Sequence, residues 1–207
     1  MEMAVIRAES IRKLSGAGVF VNPALPPLDS HLVARDVGAV VGRALALHAI
    51  VAASYGFPRE QAGNWITREG LWTHLTAPER GGLQIEGDDI VKFRPRVEAL
   101  SALGWALSMT PACDVFQKVP PSLVSKFPDL LRDEDTKRFR AASRLRDEAD
   151  LIGALDLLYC GHWALRQADL SGKRLPKLRP LDVVAERRRG LEWVLTMEGW
   201  EEVSLDT

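Results

Sequence analysis

The sequence has little of what would assign a function at once. It holds two cysteines in 207 residues, Cys113 and Cys160, with no C-x-x-C spacing. That excludes a disulfide scaffold and fits a reducing compartment. Its four histidines (His31, His48, His74 and His162) are widely spaced, and there is no H-E-x-x-H or other close ligand set. No metal and no cofactor is therefore expected. Charge of one sign is also lacking: 27 Lys and Arg face 28 Asp and Glu, for a net charge of −1. Nothing global attracts nucleic acid or anionic lipid. A phosphate-binding G-x-x-x-x-G-K-[ST] loop, a G-x-G-x-x-G turn and a G-x-S-x-G elbow are all missing. The most apolar stretch, Ala44 to Tyr55, is far short of the roughly 20 residues of a membrane span and contains His48. It reads as a buried core helix. Charge at Glu2 and Arg7 breaks any secretory h-region, so a cytoplasmic location is expected.

What is present is helical periodicity. Val33–Tyr55 carries apolar residues at i, i+3 and i+4 spacing, followed by Gly56 as a stop. Pro58–Gly70 and Arg94–Met109 read as helices that begin at a proline, which suits a first turn. Asp147–Leu170 is the longest helix, ended by Ser171-Gly172, and Leu181–Met197 is the last. The whole reads as an all-α, compact multi-helix domain over residues 1–207. Residues 1–31 form an N-terminal helix and a Pro-rich strap, 32–197 a helical core, and 198–207 an acidic tail. The one hairpin-like segment is Leu83–Phe93, with Gly87-Asp88 in its turn. Arg132–Glu148, dense in both charges, reads as a solvated helix face. No stretch repeats at a fixed period.

Polar residues on apolar faces are the informative ones. His162 projects into the core stripe of its helix, flanked by Tyr159 and Arg166. Arg187 projects into that of the last helix, and His48 into that of Val33–Tyr55. A buried guanidinium keeps its proton and needs a carboxylate, for which Glu98, Asp156 and Glu186 are the candidates. Two readings stay open: a buried network that fixes helix register, and a cleft lined by His162, Tyr159, Arg187 and a carboxylate. The Lys/Arg cluster at Lys173, Arg174, Lys177, Arg179 and Arg187–Arg189 forms no single stripe, because successive helical residues turn by 100°.

The run from Leu155 to Arg166 (LDLLYCGHWALR) resembles a bacterial family called domain of unknown function 4272. So do Arg96–Leu100 with Trp105–Leu107, Glu186-Arg187 with Leu191-Glu192-Trp193, Arg43–Leu47, and the ending Trp200–Thr207. In that family an Arg usually stands where this chain has Cys160, an aromatic where it has Pro95, and a His/Tyr-like pair where it has Arg188 and Arg189. The resemblance implies a helical bacterial cytosolic domain and brings no chemistry. The expected role is a non-enzymatic protein-binding domain of the immunity type, which neutralises a toxin. The alternatives are a hydrolase-like enzyme using His162, Tyr159 and a carboxylate, and a small-molecule sensor.

Overall fold

Three prolines and two acidic residues stand at the starts of the longer helices. The computed structural model describes residues 3–29, 32–84 and 88–207. It contains α1 (Met3–Gly16), α2 (Val37–Ser54), α3 (Arg59–Arg68), α4 (Ala77–Gln84), α5 (Arg96–Ala106), α6 (Lys137–Ala142), α7 (Glu148–Leu170) and α8 (Leu181–Leu195). The Asp36 side chain accepts the Gly38 amide and caps α2, while Asp147 stands at the N-cap of α7. Pro58, Pro95 and Pro180 stand directly before α3, α5 and α8, where their fixed φ prepares the first turn. Gly56, at φ +105°, ends α2 in a conformation that other residues adopt only with strain.

α2 is the centre of the molecule. By length and composition alone it is apolar enough to cross a membrane, with a mean hydropathy of 1.7 over 18 residues, yet 78% of it is buried inside the protein. One apolar cluster runs from Leu14 to Val203 and joins all the long helices. The N-terminal strap is non-helical, as its prolines require, and turns at Asn22–Leu25, with Val19, Val21, Leu25 and Leu28 buried and Phe20 turned out.

Three sequence expectations change. No strand occurs among the described residues: Leu83 and Gln84 close α4, and Asp88–Phe93 is a 3-10 helix. Leu83, Ile90 and Phe93 are buried from helical turns, so their apolar spacing did not need a pleat. The expected turn residue Gly87 lies outside the described residues. Of residues 132–148, Arg132 ends a 3-10 turn, Glu148 begins α7, and the stretch between is helical only over α6. Beyond it, Arg144 and Arg146 donate their amides to Leu107 and Ala106, at the C-terminus of α5.

The third change is a structural repeat that no sequence period announces. Arg35-Asp36 opens α2 and Arg146-Asp147 opens α7, 111 residues further on. Val33 and Arg35 donate amides to Leu195 and Val194 of α8, as Arg144 and Arg146 do to Leu107 and Ala106 of α5. The Arg35 guanidinium bonds the carbonyls of Trp193 and Glu198 and lies over the Trp193 ring, 4.3 Å from its centre. The Arg146 guanidinium bonds the carbonyls of Trp105 and Thr110 and lies 4.7 Å over Trp105. Every partner on α8 is 88 residues beyond its equivalent on α5. The pairs α2/α5 and α7/α8 are thus two forms of one unit, and each unit's arginine caps the other's second helix. α5 and α8 meet at equivalent positions, Ala102 and Gly190. A Cβ on Gly190 would lie 3.1 Å from the Ala102 methyl and from the Ala99 carbonyl, so glycine permits the approach.

Candidate functional site

Of the polar residues singled out from the sequence, His48, Asp156, Tyr159, His162 and Arg187 are buried, Glu98 and Glu186 are half-buried and Arg166 is exposed, and they fall into separate networks. Arg187, 3% exposed, places Nε 2.8 Å and Nη2 2.7 Å from Glu98 Oε2, and its Nη1 donates to the carbonyls of Asp114 and Gln117. Glu186, equivalent in position to Glu98, takes Arg96 of α5 at 3.2 Å. Asp156 is fully buried and holds Arg7 of α1 at 2.8 Å, with Cys160 Sγ 3.8 Å away. Tyr159 lies between two guanidiniums, Arg7 at 5.5 Å and Arg188 at 4.8 Å from its ring centre.

His162 and Arg187 do not share a network. His162 Nδ1 faces Arg188 Nη1 at 3.1 Å, and Arg188 continues to Glu192 and to the carbonyls of Leu205 and Asp206. The 100° turn per residue sends Arg187, Arg188 and Arg189 to three different sets of partners. Burial, then the charges of Arg188 and Arg166, push His162 down to about 4. Its ring is neutral at pH 7 and accepts from an arginine. Among the described residues no carboxylate bonds it, as the orienting group of a general base would. Burial pushes the thiols of Cys113 and Cys160 up to about 12, so neither is a ready nucleophile. Among the described residues, no three His, Cys, Asp or Glu converge as metal ligands.

Arg187→Met is expected to lower stability by about 2 kcal/mol, below the usual range for breaking a buried pair because Glu98 keeps some contact with water. Making Glu98 apolar as well is expected to recover part of that loss, since no charge is then left alone. Urea unfolding of the two single variants and the double variant reads the difference.

A large opening lies elsewhere. A cleft of about 1110 Å³ runs between the C-terminal half of α2, the 56–58 turn and the loop 121–134. His48 lines it, with Nε2 3.0 Å from the Pro128 carbonyl and its ring stacked on Phe127 at 5.0 Å. Burial pushes His48 down to about 4, against a smaller opposing effect from the Pro128 carbonyl, so the floor is uncharged at neutral pH. The rim carries Tyr55 at 60%, Val124 at 64% and Leu131 at 86% exposure, three large apolar side chains around one opening. The charges at the rim are paired with each other: Arg138 Nε donates to Glu134 at 2.7 Å, and Arg132 stands 3.5 Å from Asp129.

Sequence reasoning placed His48 on a buried face and missed the cleft. The segment that forms its second wall holds two 3-10 turns, Val124–Lys126 and Leu130–Arg132, each too short for a sequence period to show.

No curated protein and no solved structure matches the chain. The pattern of one family, described as a domain of unknown function, matches residues 7–203, nearly the whole length. The chain therefore belongs to the family of domain of unknown function 4272.

Proposed function

We propose that the protein is a non-enzymatic binding domain that docks a segment of another protein into the cleft beside His48. The observation that carries this reading is the rim of exposed Tyr55, Val124 and Leu131 around apolar walls whose charged neighbours are already paired. Exposed aromatic and aliphatic side chains grouped at one opening have the composition of an interface core. The geometry around His162 gives no support to a hydrolase, because the ring faces a cation and is packed. The setting proposed is a bacterial cytoplasm, with a toxin from a neighbouring gene as the partner.

Co-expression with the product of the adjacent gene tests the reading. The two proteins are expected to co-elute, and Val124→Asp with Leu131→Asp is expected to abolish the complex while leaving the helical circular dichroism unchanged. Failure to co-elute, or a complex indifferent to both changes, removes the proposal.

A further inference from the structure

The two helix units differ where one of them lines the cleft. α2 presents His48, Ala52 and Tyr55 at i, i+4 and i+7. At the equivalent places, 111 residues on, α7 has Tyr159, Trp163 and Arg166. The register is supported by burial: Leu151, Leu155, Leu158 and Ala164 of α7 are buried, as are Val40, Ala44, Leu47 and Ala53 of α2. On α7 the same face carries side chains of its own: Arg7 and Arg188 cover Tyr159, and Phe20 of the strap, itself 71% exposed, tilts against the half-buried Trp163 with ring centres 6.4 Å apart. On α2 a methyl group at Ala52 stands where α7 has an indole, and the cleft occupies the space. Aromatic rings line it: His48 stacks on Phe127 at 5.0 Å, Phe139 backs Phe127 from within the core at 4.9 Å, and Tyr55 and Phe57 stand at the edge. His48 is neutral, so the stack offers an uncharged face to another ring.

We infer, resting on the docking reading above, that the occupant is an extended apolar segment of the partner protein that inserts an aromatic side chain over Ala52. It takes the place that Trp163 fills in the other half of the molecule, and it lies as the chain's own strap lies with Phe20.

The test uses the full chain and indole as the probe, followed by amide NMR. Saturable shifts at residues 48–57 and 121–131 are expected, with a roughly millimolar dissociation constant, as suits so small a ligand. Ala52→Trp is expected to keep the fold, since α7 carries tryptophan at the same place, and to weaken indole at least tenfold. Ala52→Leu, a smaller filling of the same space, is the second variant and is expected to act in the same direction. No saturable shift in the natural protein, or binding in both variants as tight as in the natural protein, overturns the inference. A partner complex lost on Val124→Asp with Leu131→Asp but kept in both Ala52 variants overturns the aromatic anchor and leaves the docking reading standing. Indole shifts without any protein complex overturn the docking reading, and with it the peptide occupant.

Discussion

Replacing Glu79 with alanine is expected to lower the free energy of unfolding by about 3–5 kcal/mol, the cost of leaving one partner of a fully buried ion pair alone. Glu79 is 0% exposed and Arg43 is 2% exposed. Two short bonds join them, Nη2 to Oε1 at 2.6 Å and Nη1 to Oε2 at 2.7 Å. Arg43 also donates to the His74 carbonyl, and its guanidinium lies 4.0 Å over the Trp200 ring. The pair therefore ties α2 to α4 and to the C-terminal segment. Burial works to raise the Glu79 carboxyl, but the bonds from Arg43 and the Thr76 amide outweigh it and hold the group below its ordinary range. Its contribution is present above the unfolded carboxylate pKa and is lost as pH falls through the lower folded value. Arg43→Met with Glu79→Leu is expected to cost less than Glu79→Ala alone, since no unpaired charge remains. Urea denaturation at pH 7 of these variants checks both statements, and a loss under about 1 kcal/mol for Glu79→Ala would contradict the burial of the pair.

Lowering the pH from 7.5 to 5 is expected to cost about 2 kcal/mol through His48 alone. Its folded value of about 4 lies well below the roughly 6.5 of an unfolded histidine. Between those two values the unfolded chain takes up a proton that the folded chain refuses, so stability falls as pH falls. His162 is depressed in the same direction and adds a smaller loss, because solvent reaches its surroundings more readily. Ordinary carboxylates contribute little above pH 5, which leaves the histidines exposed in this window. His48→Gln is expected to flatten the pH dependence of urea unfolding and His162→Gln to flatten it less. An unchanged slope in His48→Gln would show that the ring is solvated.

The long helices were legible because their boundaries carry chemistry. Asp36, Pro58, Pro95, Asp147 and Pro180 each stand one residue before a helix. α4 and α6 carried too few turns for a period to emerge. The buried faces were legible too: Tyr159, His162 and Arg187 are all in the core. Their partners were not, because a projection gives a direction around one helix and says nothing of what stands opposite. Arg187 found Glu98, one of the three carboxylates named for it, while His162 went to Arg188, which the sequence offered as part of a charge run and as a departure from the family pattern, never as its partner. The cleft left no signal because part of it is an absence, the small side chain of Ala52. The repeat left almost none, since its equivalence rests on Arg-Asp before two helices and a tryptophan near the end of two others.

The exchange of caps between the two units sets an order of events as the chain leaves the ribosome. α5 can be finished as soon as Arg146 emerges, about forty residues after Trp105, a short loop to close. Arg35 must wait for Trp193 and Glu198, with most of the protein made in between. The first unit is thus synthesised early and fastened last. A chain that stops short of Trp193 leaves the 32–36 segment without its anchor and Arg43 of α2 without the Trp200 ring that covers it, a form that proteases and chaperones would read as unfinished.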